Sequence, residues 1–230
     1  TITAHTTDIQ YPSNGDYSNM YAAYADVTDY VRANKGGNYF VADLATTAGS
    51  SDSTGHFGGW GLVVIYANSN MKWRDITVFD GYAHVASATV SHQLAISGFQ
   101  AAQSGNINVD IGVMAGEGDR SISGDYFQVL GSGGSESTND HFKSLVAPNG
   151  TGGFFNSTID TGSSRTPNLS NNTGIDIQRI ALPNQTKVFN AQTGNANYII
   201  GNNATSTTFK YGSTQDTYII YNLVFAVDAY

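Results

Sequence analysis

The feature that most constrains this chain is the run Leu62-Val63-Val64-Ile65, entered through Gly58-Gly59-Trp60-Gly61 and left through Tyr66 and the polar Asn68-Ser69-Asn70. Val63, Val64 and Ile65 are β-branched, and a run this short and apolar fits a strand buried on both faces. Downstream, residues 75–82 alternate, with Ile76, Val78 and Asp80 on one side and Thr77 and Phe79 on the other. The two stretches together predict a central hairpin of an all-β domain.

Further strands follow at short intervals, separated by Gly, Pro, Asn and Ser. Residues 85–99 alternate through Val85, Ser87, Thr89, Ser91 and Gln93 against Ala86, Ala88, Val90, His92, Leu94 and Ile96. In residues 106–114, Ile107, Val109, Ile111 and Val113 share one face. Strands are also expected over 38–44, 126–130, 175–182, 205–211 and 217–230. The last is long against a usual ~5–6 residues, which predicts a bend across two sheets or an extension beyond the domain. One helix is expected over 26–34, with Asp26 or Thr28 as cap, a Val27/Tyr30/Val31 stripe, and Gly36-Gly37 as the stop. Residues 1–11 alternate weakly and read as a polar, Thr-rich edge strand. This spacing predicts a jelly-roll-like β-sandwich with one short helix, as a single domain over 12–230 preceded by the strand 1–11.

Composition limits the function classes. Only 12% of the residues are charged, while 40% are hydrophobic and 12% aromatic, so a core can form beneath a polar but largely uncharged surface. A net charge of −8 leaves no basic patch for phosphates, which argues against nucleic acid. With no cysteine there is no disulfide, no thiol chemistry and no thiolate zinc site. No apolar run is long enough for a transmembrane helix. The start at Thr1 suggests processing, and N-x-S/T sequons stand at Asn149, Asn156, Asn168, Asn171, Asn184 and Asn203. An extracellular glycoprotein is expected.

A resemblance comes with the segments Ala25-Asp26-Val27-Thr28-Asp29-Tyr30-Val31, Tyr39-Phe40-Val41-Ala42-Asp43, Gly58 to Tyr66, Arg74 to Tyr82, Gly116-Glu117-Gly118-Asp119-Arg120 with Gly124-Asp125, and the closing Leu223 to Tyr230. From about Ala25 onward the chain resembles an uncharacterised β-domain of large prokaryotic cell-surface, adhesin-like proteins. The resemblance implies a surface β-domain in an adhesin or appendage and brings no catalytic residues. The chain departs from that pattern in lacking tandem modules and a C-terminal sorting signal.

The densest acidic cluster is Asp110, Glu117, Asp119 and Asp125, interspersed with glycines. Calcium needs several oxygens converging at ~2.3–2.6 Å, and such a turn could supply them; ordinary Asp turn chemistry is the alternative. Glu117 and Glu136 are the only glutamates, and they nominate no glycosidase pair. The histidines form no metal motif, His84 and His92 being some 25 Å apart in a continuous strand. No serine sits in a nucleophile elbow. The expectation is a non-enzyme without an obligate cofactor. Its partners are identical subunits in an open homopolymer, built by strand complementation through Ile2, Ala4, Thr6 and Ile9 or through the C-terminal strand. The alternative is a monomeric carbohydrate-binding module, with or without calcium, that reads glycans through Trp73 and Tyr82.

Overall fold

Alternating apolar residues must be covered on one side, and here two sheets cover each other. The computed structural model describes residues 2–11, 20–49, 56–88, 90–130, 142–145, 153–182, 187–189, 196–198 and 200–229. In chain order the strands are β1 (Ile9–Gln10), β2 (Ala22–Ala23), β3 (Arg74–Val85), β4 (Val90–Ser97), β5 (Val109–Gly116), β6 (Asp125–Leu130), β7 (Phe142–Ser144), β8 (Ile159–Asp160), β9 (Ile175–Leu182), β10 (Lys187–Phe189), β11 (Ala196–Tyr198), β12 (Ser206–Ser213) and β13 (Tyr218–Asp228). One sheet runs β3-β13-β5-β9-β8 and the other β4-β12-β6-β7. β6 pairs with β7, β5 with β9, β4 with β12 and β3 with β13, all antiparallel. Four nested pairs rolled across two sheets make a jelly roll. The β-sandwich expected from the strand spacing is therefore the fold.

Between the sheets lies an apolar core. β5 contributes Val109, Ile111, Val113 and Ala115, the face expected from its alternation. Phe127 sits among Phe154, Phe209 and Tyr211 at ring-centroid distances of 5.3, 5.2 and 6.2 Å. Phe155 stacks on Tyr218 at 4.1 Å. Tyr218 carries the polar end of the cluster, donating its hydroxyl to the Gly212 carbonyl at 3.1 Å.

β13 does not keep one parity. Its core residues are Tyr218 and Ile220, then Leu223, Phe225 and Val227. Leu223 opposes Val113 and Phe79, while Ile220 opposes Ala115 and Ala83. Between those two levels β5 inserts Met114 alone, β13 inserts Tyr221 and Asn222, and β3 inserts Asp80, Gly81 and Tyr82. This fan of bulges bends the strands and raises the local twist. It also moves the core-facing side from the even-numbered residues to the odd-numbered ones along β13, which stays in one sheet and neither crosses to the other nor leaves the domain.

Three sequence expectations change. Leu62 to Ile65 is not a strand: β3 takes β13 as its ladder partner, so the hairpin does not form. Val64 and Ile65 are exposed, and the three glycines let the backbone lie across the outer face of the five-stranded sheet. A Cβ on Gly59 would fall 2.8 Å from Ile175 Cγ1, and one on Gly61 2.5 Å from Met114 Sδ. Second, residues 85–99 form no single strand; the chain reverses between β3 and β4, with Ala88 in the left-handed region at φ 73°. Third, residues 38–44 form no strand, and Asp43 interrupts them at φ 57°. The helix, α1 (Thr28–Asn34), is present, with Asp26 Oδ1 accepting from Thr28 N at 2.8 Å, but it buries no residue. No helix among the described residues is long and apolar enough to cross a membrane, as expected.

Phe127→Ala should lower the urea midpoint by the equivalent of about 3–5 kcal/mol, because Phe127 is fully enclosed and four aromatic rings, Phe154, Phe155, Phe209 and Tyr211, pack against it. Tyr221→Ala, at the bulge, should cost much less in the same experiment.

Candidate functional site

The four residues proposed for calcium do not come together. Asp110 lies on the outer face of β5, where Arg74 pairs with it through Nη1 and Arg179 through Nη2 at 3.1 Å. Arg74 Nε also reaches Asp228 Oδ1 at 3.1 Å, and Lys72 Nζ reaches Asp228 Oδ2 at 3.4 Å. Asp228 is buried and further accepts from the Asn108 backbone and side chain at 3.0 and 2.8 Å. This chain of charges ties β3, β5, β9 and β13 together across the sheet, and it places Asp110 about 20 Å along its strand from the Glu117 turn.

Glu117, Asp119 and Asp125 do gather at one end of the sandwich, joined by Asp216 and, beneath them, Asp176. Their carboxylates are occupied in a particular way. Asp176 accepts from three successive backbone amides, Asn156, Ser157 and Thr158, each at 3.0 Å. Asp216 accepts from Asp119 N at 3.2 Å and Thr217 N at 2.8 Å. Asp125 Oδ2 accepts from Phe155 N. Thus the acids fasten the turn after β5, the loop before β8 and the turn before β13 to one another. That satisfies amides which, buried without partners, would each cost about 1–3 kcal/mol.

Burial raises the affinity of these acids for protons. Glu117 is pushed up to about 8, by desolvation and then by the neighbouring Asp216 and Asp119. Asp216 rises to about 7, mainly by desolvation. Asp176 rises to about 6, desolvation outweighing its three amide donors. Glu117 Oε2 and Asp125 Oδ1 are buried and accept no hydrogen bond, which a protonated carboxyl tolerates better than a charged one. Among the described residues no group of three His, Asp or Glu side chains is arranged to hold a metal ion. Sequence reading found the Glu117–Asp125 part of this cluster through its glycine-rich turns. It missed Asp176 and Asp216, whose partners lie far along the chain.

The glycan-platform residues are also separated. Trp73 is 82% exposed just before β3, whereas Tyr82 is half-buried at the bulge, about 30 Å farther along the strand. They do not form one stacking surface. His84 and His92 approach each other because the chain reverses between them, and burial, with a smaller push from His92, holds the His84 imidazole below its usual range. Of the sequons, Asn168, Asn171 and Asn203 are exposed. Asn156 is fully buried, donating to the Gly153 carbonyl at 3.1 Å and accepting from Thr158 Oγ1, so a glycan has no room there in the folded protein. Asn149 and Asn184 lie outside the described residues. In the N-terminal segment, Ile2 is exposed and Ala4 half-buried. Thr6 begins a 3-10 turn, Thr6–Asp8, and Ile9 pairs with Ala23, so residues 1–11 are not one strand.

No family model and no curated protein matches this sequence. Among solved structures, the chain is similar to one described as "Structure of infectious bursal disease virus Gx strain", at 10% identity and a TM-score of 0.27. The match covers 72% of this chain and 36% of that one, so it spans about a third of the viral chain. A likeness this slight carries no argument about function.

The raised acids set a pH dependence. Folded, they bind protons that the unfolded chain has already released, so the stability they supply falls as pH rises from the ordinary carboxylate range to about 8 and is gone above it. Thermal melts across that window should show the decline, and Glu117→Gln should remove its upper part.

Proposed function

We propose that this protein is an extracellular structural subunit, of a cell-surface filament or an adhesin, that assembles by lending part of its N-terminal arm to the sheet edge of the next copy. The observation that carries the reading is the state of that arm. Among the described residues none before Val85 is buried. Of the 16 exposed large hydrophobic residues, 14 lie at or before Trp73, Phe40 being 90% exposed. Single exposed apolar residues are ordinary, but fourteen within one stretch of chain that buries none of its described residues is not. A second copy of the chain would cover it.

The C-terminal strand is a poor donor, because β13 is bonded on both sides within its own sheet. Giving it up would split the sandwich. The arm, the chain before β3, has no such obligation: among its described residues the one ladder is the two-residue pairing of β1 with β2. Strand addition draws its affinity from main-chain hydrogen bonds and its register from alternate side chains, which suits a polar, weakly charged chain. An extracellular setting agrees with the lack of cysteine, the uncharged polar surface, the three exposed sequons and the adhesin-like segments.

The competing reading, a carbohydrate-binding monomer, draws on the exposure of Trp73 alone. Electron microscopy and size-exclusion chromatography with light scattering separate the two. A subunit should give linear assemblies, and a lectin-like module a single species of 24.4 kDa whose glycan binding is lost in Trp73→Ala.

A further inference from the structure

Residues 62–66 are the most strand-like stretch of the sequence and have no strand partner among the described residues. From Gly58 to Ala67 no backbone N–H or C=O hydrogen-bonds to any described residue. Val64, Ile65 and Tyr66 are exposed, and no charged residue lies between His56 and Lys72. An extended, β-branched, uncharged segment with an unpaired backbone meets the requirements of an added strand.

A free edge exists to receive it. Strand edges in soluble proteins are normally blunted by Lys, Pro, bulges or shortness. Edge strands β7 and β8 are short, and β3 carries Arg74, Asp75 and Asp80, is bent at Gly81, and has β2 lying against it. β4 uses none of these devices. It pairs with β12 in unbroken register over eight residues, from Val90↔Ser213 to Ser97↔Ser206, and contains no Lys, Arg, Asp, Glu, proline or bulge. Its exposed side chains are Ser91, His92, Gln93, Ala95 and Ser97, with the His92 ring against Tyr211, while Leu94 packs on the core and Ile96 lies within it. Five extended residues span about 16 Å, well within the roughly 26 Å of β4. With copies that each carry −8, an uncharged edge and an uncharged strand also meet without repulsion of their own.

We propose that residues 62–66 add as a strand to the β4 edge of a second copy. This rests on the assembly reading above and names its two surfaces. Exchange between copies follows from placement. The run entering through Gly61 lies over Met114 on the outer face of the five-stranded sheet, whereas β4 edges the opposite sheet. Donor and acceptor are different patches, so the contact is heterologous and repeats into a ring or an open filament.

The test uses the full chain with either Val64→Pro, which removes a donor N–H and the extended fit, or the pair Gln93→Lys and Ala95→Lys, which blunts the edge. All three sites are exposed or unpaired, and circular dichroism with urea midpoints checks that each variant keeps the fold. By sedimentation velocity the unaltered protein should assemble and each variant alone should remain monomeric. A one-to-one mixture should give dimers and nothing larger, since one variant retains the acceptor and the other the donor. A free peptide of residues 58–68 should shorten assemblies of the unaltered protein and leave the lysine variant unbound. Assembly of either variant at the unaltered level, or a mixture that stays monomeric, would overturn this pairing while leaving the assembly reading intact. An unaltered protein that is itself monomeric would overturn both.

Discussion

The double ladder of β13 is the constraint on which the rest of the molecule depends. Its eleven residues are bonded to β3 on one side and β5 on the other. They carry Phe225 and Val227 into the middle of the core and place Asp228 where Arg74 and Lys72 converge. Because β3 is thereby satisfied, the apolar run that precedes it has no ladder to join. Because β5 is thereby satisfied, its other edge is free for β9, whose Arg179 completes the ion-pair chain on Asp110. One strand thus determines both what the sandwich contains and what it leaves outside.

The acidic end follows the same logic of satisfied backbone. Three loops meet over the sandwich rim, and their amides need acceptors where water is largely excluded. Asp176, Asp125 and Asp216 provide them, and burial raises their proton affinity, with neighbouring carboxylates adding to it at Asp216. A metal site and a structural clamp are both built from Asp and Glu beside glycine; they differ in whether the oxygens point at each other or at N–H groups.

How much of this was legible in the residues depends on how local the cause is. β5 and β9 are readable because one face of each packs on the core and the other does not, so alternation reports burial directly. Leu62 to Ile65 misleads for a physical reason: an apolar run says that water should be removed from it, not which chain removes it. The face switch in β13 is invisible, since Tyr221 and Asn222 sit in an unbroken Tyr/Ile/Leu/Val pattern and the bulge is set by neighbouring strands. Of the acids, Glu117, Asp119 and Asp125 stand close in sequence and could be grouped by eye. Asp176 could not, since its partners Asn156 to Thr158 come from a loop some twenty residues upstream whose buried polar character has no periodic signature.

The β13 pairing also governs how the molecule is made. The Asn222 side chain bonds the Phe79 carbonyl across 143 residues, at 3.1 Å, and the neighbouring ladder is comparably non-local. Such contacts must await closure of a long loop, which slows folding. During synthesis the two sheets cannot lock until β13 emerges, so until then β3 lacks its ladder and β5 is open on the side that β13 will take, beside an apolar arm already made. For a chain built this way, the interval before β13 closes is when its apolar surface is most open to wrong pairing.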